Sequence, residues 1–74
     1  MAEKYVDCRG LQCPGPLVDL ARAAKSAAKG DVIVVDASDF GFKKDVRAWC
    51  AKTGHTLENV EETDGIIRAR IVVV

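Results

Sequence analysis

The chain has 74 residues, with eleven basic and eleven acidic side chains and a formal net charge of zero. This length suits one domain, residues 1–74, with a modest core and little room for both a deep substrate pocket and a cofactor. Balanced charge argues against strong affinity for nucleic acid or anionic membranes. We therefore favour a carrier or binding module without a cofactor over a stand-alone enzyme.

Nothing in the chain resembles an export signal or a membrane span. The start, Met1-Ala2-Glu3-Lys4, has no apolar segment, and no apolar run approaches the roughly 18 residues of a membrane helix. We expect a cytoplasmic protein, and in a reducing compartment cysteines are seldom paired in disulfides. An odd number of cysteines, three, also fits a disulfide framework poorly.

The first half of the chain predicts two strands that alternate with two helices. A short strand at Tyr5–Asp7 precedes a helix from about Pro14 to Ala28, and a β-branched run predicts a central strand at Asp31–Ala37. A second helix is predicted from about Phe42 to Thr53, with Gly54 ending it. The apolar stripe of the first helix recurs at three- and four-residue steps and comprises Leu17, Leu20, Ala21, Ala24 and Ala28.

A hairpin is predicted to follow the second helix. A weaker strand around Leu57–Glu62 leads into Asp64-Gly65, a strong turn signal, and then into a strand at Ile66–Val73. In the order β-α-β-α-β-β, right-handed crossovers put both helices on one face of a mixed four-stranded sheet. The predicted fold class is therefore α/β of the α+β type, a two-layer sandwich. The other face of the sheet is left open to water or a partner.

Cys13 is the main candidate for chemistry, in the run Cys13-Pro14-Gly15-Pro16 just before the first predicted helix. Proline suits the first helical position, which places Cys13 at or next to the N-cap. Free backbone N–H groups and the positive end of the helix dipole meet there. A thiol at that point should ionise readily, and the thiolate is the nucleophilic form. We predict a reactive thiol rather than a small buried side chain.

The segment Asp7–Leu17 (DCRGLQCPGPL) resembles the signature of the TusA (SirA-like) sulfur-carrier family, whose hallmark is Cys-Pro-x-Pro. The resemblance continues through Gly41–Cys50, Gly54-His55 and Thr63–Gly65, nearly the whole chain. It implies a two-layer sandwich similar to the C-terminal domain of a translation initiation factor. It also implies that Cys13 carries sulfane sulfur as a persulfide, without metal or organic cofactor.

The resemblance further implies partners on both sides of the carrier. The donor would be a cysteine desulfurase or a rhodanese-like protein, and the acceptor a DsrE- or TusD-like protein. The protein would then be a sulfurtransferase-type carrier rather than a stand-alone enzyme. The residues leave the pathway open among tRNA thiolation, cofactor sulfuration and sulfur oxidation.

Several neighbours of Cys13 are candidates for supporting roles. Pro14 and Pro16 are ordinary residues at a helix start that would also hold the sulfur in place, and Gly15 leaves room for a partner to approach. Arg9 has two open interpretations, a solvated surface charge or a group that stabilises the thiolate or a partner's carboxylate.

The other cysteines allow alternatives. Cys8 departs from the commonest family pattern, and it is either a packing residue or a resolving thiol that forms a disulfide with Cys13 in a redox module. Cys50 is predicted in the core, and His55 is predicted as a surface or capping residue. Together the four make a loosely zinc-like set, which we disfavour because Cys50 faces the core and no close-spaced ligand pair exists.

Five basic residues could form a surface patch: Lys43, Lys44, Arg47, Arg68 and Arg70. No aromatic residues interleave with them for stacking with bases, since we assign Phe40, Phe42 and Trp49 mostly to the core. A docking face for acidic relay partners is therefore favoured over direct binding of nucleic acid. A small binding domain in which Cys13 is incidental is the remaining alternative.

Overall fold

The structure is a computed structural model that describes residues 2–12 and 15–74. Its strands and helices follow the expected order β-α-β-α-β-β. The elements are β1 (Glu3–Cys8), α1 (Gly15–Ser26), β2 (Val32–Ala37), α2 (Gly41–Thr53), β3 (Thr56–Thr63) and β4 (Ile66–Val72). The strands form one sheet in the order β1-β2-β4-β3, in which β1 and β2 are parallel and the other neighbours antiparallel. The predicted α+β fold, with two helices on a mixed four-stranded sheet, is confirmed.

The two faces of the sheet carry different side chains. In β4, Ile67, Ala69 and Ile71 are fully buried, whereas Arg68 and Arg70 lie on the opposite, open face, as their alternation predicts. β2 is buried along its whole length, whereas β4, which is also an inner strand, is fully buried only on its core face. The core beneath the helices comprises Cys8, Leu20, Ile33, Val35, Ala37, Phe42, Val46, Cys50, Ile67, Ala69, Ile71 and Val73.

Helix α1 ends two residues before the predicted Ala28. The N–H of Ala28 donates to the Asp31 carboxylate at 2.9 Å, and the same carboxylate accepts the Ala2 N–H at 3.0 Å. Asp31 thus takes a donor that a longer helix would use internally. The predicted stripe also needs correction: Ala21 and Ala28 are exposed. The buried side of α1 instead comprises Pro16 and Leu20, with Leu17, Ala23 and Ala24 partly buried beside them.

Helix α2 begins at Gly41, one residue before the predicted start. Phe42, Val46 and Cys50 recur every fourth residue and enter the core as predicted. The assignment of Phe40 to the core is wrong, because its side chain is 66% exposed. Phe40 is the N-cap residue, two positions before Phe42, so it points away from the buried stripe. The predicted end is confirmed: Gly54 is left-handed (φ 87°) and donates its N–H to the Cys50 carbonyl at 2.9 Å.

The predicted hairpin turn at Asp64-Gly65 is also confirmed. Both residues have positive φ, 52° and 78°, as the tightest hairpin turns require. β3 extends one residue beyond the prediction at each end and contains an irregularity between Leu57 and Asn59. Neither helix of the described chain is long and apolar enough to span a membrane.

Candidate functional site at the first strand–helix loop

The loop between β1 and α1 contains the motif cysteine. Cys13 and Pro14 lie outside the described residues, so the predicted position of Cys13 at the N-cap stays a prediction. Their neighbours are described: α1 begins at Gly15, whose N–H donates to the Gln12 carbonyl at 2.8 Å. The first turn of α1 contains no acidic side chain, so no carboxylate there compensates the positive end of the helix.

This loop is joined to the loop between β2 and α2. The Gly10 N–H donates to the Ser38 hydroxyl oxygen at 2.8 Å, and the Leu11 N–H donates to the Cys8 carbonyl at 3.2 Å. Because β1 and β2 are parallel, the loops that follow them lie at one end of the sheet. Both helices therefore begin at the end of the molecule where the motif loop lies.

The sequence suggested open space beside Gly15, but the structure shows that this space is occupied. A Cβ atom added to Gly15 would lie 3.3 Å from the Cβ atom of Leu11, closer than ordinary contact. Leu11 thus covers the start of α1 while keeping 40% of its own surface exposed. Pro16, one residue further, is fully buried.

Arg9 is held by Asp7. The Arg9 side chain donates to both carboxylate oxygens of Asp7, at 2.8 and 2.9 Å, and its backbone N–H donates to one of them at 3.1 Å. These donors lower the pKa of Asp7 to about 2. The fork-like pairing engages the guanidinium with Asp7, while the Arg9 side chain keeps 56% of its surface exposed.

Cys8 is fully buried at the end of β1. Its thiol lies 3.8 Å from a carboxylate oxygen of Asp19 in α1, in position to donate to it. Burial, and then the negative charge of Asp19, raise the pKa of Cys8 to about 11. A thiol that stays protonated and covered is a weak nucleophile, so this geometry supports the packing interpretation of Cys8.

The contacts of Cys50 and His55 indicate structural roles for both side chains. Cys50 lies in the core as predicted, and burial raises its pKa. The His55 ring lies 5.3 Å from the Trp49 ring, and its Nδ1 accepts the backbone N–H of Val74 at 3.1 Å. Within residues 2–12 and 15–74, no three histidine, cysteine or acidic side chains are grouped as metal ligands would be.

The basic residues that the sequence grouped together do not form one patch. Arg68 and Arg70 extend from β4 over the open face, where Arg68 pairs with Asp36 and Arg70 pairs with Glu3 and Glu58. The other three belong to α2, in the helical layer. The cations of the open face are thus neutralised within the chain.

The sequence analysis missed a buried carboxylate, Asp36, which is 4% exposed. Arg68 donates to both of its oxygens at 2.7 Å, and the Tyr5 hydroxyl donates to one at 2.6 Å. Arg68 holds the pKa of Asp36 below its usual value, and the bond to Asp36 raises the pKa of Tyr5. An acid within the β-branched run of a central strand was the available signal, because such a residue needs a partner.

A shallow polar depression of about 440 Å³ lies beside this pair on the open face. Its lining is mostly charged and comprises Arg9, Asp36, Glu61, Thr63, Asp64, Ile66 and Arg68. Both of its arginines already bind carboxylates of the chain. We therefore regard the depression as part of a structural ion-pair network.

Comparison with known proteins yields one consistent family. A match to the TusA family, described as sulfurtransferase TusA, spans residues 4–73. A Neisseria meningitidis serogroup A protein, named as a candidate sulfur carrier, is 38% identical over 66 residues, which are 89% of each chain. The sulfur carrier protein TusA of Pseudomonas entomophila is 33% identical over 60 residues, 81% of this chain and 75% of that protein.

The fold is similar to a solved structure as well. The crystal structure of a SirA-like protein from Desulfitobacterium hafniense has a TM-score of 0.80 and 25% sequence identity to this chain. The alignment covers 97% of this chain and 96% of that one. Sequence and structure therefore point to the same family over nearly the full length of the chain.

Proposed function

Since the chain belongs to the TusA family of sulfurtransferases, we propose that it carries sulfane sulfur as a persulfide on Cys13 and passes it to an acceptor protein. The observation that carries the proposal is the burial of the other two cysteines, Cys8 and Cys50. Cys8 and Cys50 are buried and their pKa values are raised, so neither is suited to attack an external persulfide. Cys13 is the thiol that the Cys-Pro-x-Pro motif contains.

Loading is a thiol–persulfide exchange. The Cys13 thiolate attacks the outer sulfur of the donor's persulfide, a new S–S bond forms, and the donor's cysteine leaves as a thiolate. Delivery repeats the exchange, with an acceptor thiolate attacking the outer sulfur and Cys13 leaving. No electrons are gained or lost overall, so neither step needs an external oxidant or reductant.

The start of α1 supports this chemistry. Cys13 is two residues before Gly15, where α1 begins with no acid in its first turn. The positive end of a helix favours a nearby anion, and a thiolate is the attacking group in loading and the leaving group in delivery. Pro16, whose side chain is fully buried, limits the movement of the helix start.

The partners follow from the role of a carrier. A family of sulfur carriers requires a sulfur donor and a sulfur acceptor. We propose a cysteine desulfurase or a rhodanese-like protein as the donor and a DsrE- or TusD-like protein as the acceptor, all in the cytoplasm. The delivered sulfur would serve tRNA thiolation, cofactor sulfuration or sulfur oxidation.

Intact-mass measurement tests the proposal directly. Wild type incubated with a cysteine desulfurase and cysteine, or with glutathione persulfide, should gain about 32 Da, and reductant should remove the addition. Cys13→Ser should gain nothing, while Cys8→Ala and Cys50→Ala should load as wild type does. Equal loading of Cys13→Ser would refute the assignment. If loading is lost in folded Cys8→Ala and mild oxidation of wild type forms a Cys8–Cys13 disulfide, the redox module is the correct function instead.

A further inference from the structure

Charge is distributed unevenly between the two layers of the fold. Helices α1 and α2 contain two acidic side chains, Asp19 and Asp45, and a larger basic set: Arg22, Lys25, Lys43, Lys44, Arg47 and Lys52. In the four strands the acidic side chains outnumber the basic ones, and they are Glu3, Asp7, Asp36, Glu58, Glu61 and Glu62. The net charge of zero over the whole chain therefore conceals a basic helical layer and an acidic sheet.

Most of the helical cations are exposed and unpaired. Lys43 lies 4.0 Å from Glu62, and the two arginines of β4 bind carboxylates of the sheet. In the part of the chain that the structure describes, no ion pair involves the other cations of the two helices. The helices contact each other, so their exposed sides form one surface. We call these five exposed cations the basic helical face: Arg22, Lys25, Lys44, Arg47 and Lys52.

The spacing of the cations suits a regular row of negative charges. Arg22 and Lys25 in α1 are three residues apart, as are Lys44 and Arg47 in α2. Residues with this separation lie on the same side of a helix, with about 5–6 Å between their Cβ atoms. A nucleic acid strand carries one phosphate on every nucleotide, which is a regular row of this kind.

The exposed side chains between these cations are small or polar. Apart from Val18, near the start of α1, they are Ala21, Ser26, Ala48, Ala51 and Thr53. Interfaces between proteins have apolar centres in which lysine is depleted, whereas interfaces with nucleic acid are polar and strongly positive. The basic helical face therefore fits a phosphate backbone better than it fits an acidic protein.

Phe40 adds an aromatic side chain at one end of this face. Its backbone is already helical (φ −62°, ψ −27°), so Phe40 lies on the same side of α2 as Lys44 and Arg47, four and seven residues later. The side chain is 66% exposed and makes no capping hydrogen bond. An exposed ring beside cations can stack on an unpaired base, because every base has a π-face. The exposure of Phe40 removes the ground on which the sequence disfavoured base stacking.

We propose that the basic helical face and Phe40 bind single-stranded RNA, a function separate from the carriage of sulfur. The cations bind successive phosphates, and the Phe40 ring stacks on an unpaired base. Stacking on a side chain needs an unpaired base, and unpaired bases are found chiefly in the loops, bulges and ends of RNA. This is the reason for choosing RNA over DNA.

Fluorescence anisotropy with a labelled RNA of about ten unpaired nucleotides tests the proposal. For wild type, the logarithm of the binding constant should fall linearly with the logarithm of the salt concentration. Its slope should be about −2 to −3, because each neutralised phosphate of a single strand contributes about −0.7. Arg47→Gln should weaken binding about fivefold and make the slope shallower by about 0.7. Arg70→Gln, the same substitution on the open face, is the matched control and should change neither quantity.

Variants of Phe40 separate stacking from charge. Phe40→Leu stays apolar but cannot stack on a base, so it should bind RNA about tenfold more weakly with an unchanged salt slope. Phe40→Tyr keeps an aromatic ring and should bind as wild type does. Duplex RNA should bind wild type and Phe40→Leu equally, because its bases are paired. Both variants should unfold at nearly the urea concentration of wild type, since Phe40 is outside the core cluster.

Several results would overturn the proposal without affecting the carrier function, which is measured by the mass of loaded Cys13. No binding of RNA at low salt is one, and an unchanged affinity in Arg47→Gln or Phe40→Leu is another. Binding of poly-glutamate as tight as that of RNA would assign the face to an acidic protein instead. Binding of a DNA strand of the same sequence at least as tight as that of RNA would refute the choice of RNA.

Discussion

The end of the molecule that carries the motif loop and the open face of the sheet are both exposed, yet they are built differently. On the open face, charged side chains bind one another: Asp36 pairs with Arg68, and Arg70 with Glu3 and Glu58. At the motif end, three large hydrophobic side chains stay exposed: Leu11, Val18 and Phe40. A surface whose groups are satisfied within the chain stabilises the fold, whereas one with exposed apolar groups suits a partner.

Arg9 marks the boundary between the two regions. It belongs to the motif loop by sequence, but its guanidinium binds Asp7, and it lines the depression of the open face. The ion-pair network thus extends to the first residue after β1. Cys13, the proposed nucleophile, follows Arg9 by four residues in the sequence.

The largest effect should appear in thiol reactivity, which tests whether nucleophilic sulfur is confined to the motif end. A pKa of about 11 leaves only a few Cys8 thiols in ten thousand ionised at pH 7.5, and burial covers the sulfur. A variant retaining only Cys13 should therefore be alkylated by iodoacetamide on the order of a hundredfold faster than one retaining only Cys8.

Unfolding provides the control for that comparison. In concentrated urea the Cys8-only and Cys13-only proteins should react at similar rates, because burial and the Asp19 contact are lost. Equal alkylation rates in the folded proteins would contradict the confinement of nucleophilic sulfur to the motif end. Cys8 would then be a competent partner for a redox reaction.

The next effect concerns the open face. Asp36→Ala should lower the free energy of unfolding by about 2 kcal/mol, because it removes a buried carboxylate that accepts three hydrogen bonds. Arg68 is 59% exposed and can regain water, which keeps the loss below that of a fully buried pair. Glu58→Ala, which breaks an exposed pair with Arg70, should cost less than about 0.5 kcal/mol.

Urea unfolding measures the free energy of unfolding of both variants. Persulfide loading then shows whether the open face and the motif end are independent. Asp36→Ala should load Cys13 as wild type does at temperatures where it remains folded. Impaired loading in the folded variant would mean that the open face takes part in the chemistry.

Local signals in the sequence predicted much of the fold. The end of α2 and the hairpin depend on Gly54 and Asp64-Gly65, whose backbone preferences act without distant partners. The end of α1 was misplaced because it depends on Asp31, whose carboxylate accepts N–H groups from Ala28 and from Ala2. The Ala28 contact is local, but the Ala2 contact joins residues 29 positions apart in the chain, and neither leaves a periodic signal.

For the candidate site too, local sequence signals predicted some features, and others depended on contacts between elements. The motif identified Cys13 as the candidate nucleophile, but the choice between the two interpretations of Cys8 required the position of Asp19 in α1. The buried pair of Asp36 and Arg68 required the register between β2 and β4. Phe40 was misassigned because its apolar character predicts burial, and only the helix geometry shows that it points outward.

The smallest effect concerns Asp7 and Arg9 at the boundary between the two regions. Arg9 lowers the pKa of Asp7 from its usual 3.8 to about 2 in the folded protein. A group whose pKa falls on folding stabilises the protein above its unfolded pKa, and this stabilisation is lost as pH falls through the folded pKa. The contribution of Asp7 should therefore be present above about pH 4 and disappear as the pH approaches 2.

Asp7→Asn isolates this contribution from the other carboxylates that titrate in the same range. The difference between the urea midpoints of wild type and variant should be constant above about pH 5 and shrink between pH 4 and 2. In Arg9→Ala, Asp7 should return towards its usual pKa, so a further Asp7→Asn change should show little dependence on pH. If the wild-type and Asp7→Asn midpoints instead stay parallel down to pH 2, Asp7 does not hold Arg9 in solution. The guanidinium would then be free to act in the loop that carries Cys13, and the boundary between the two regions would disappear.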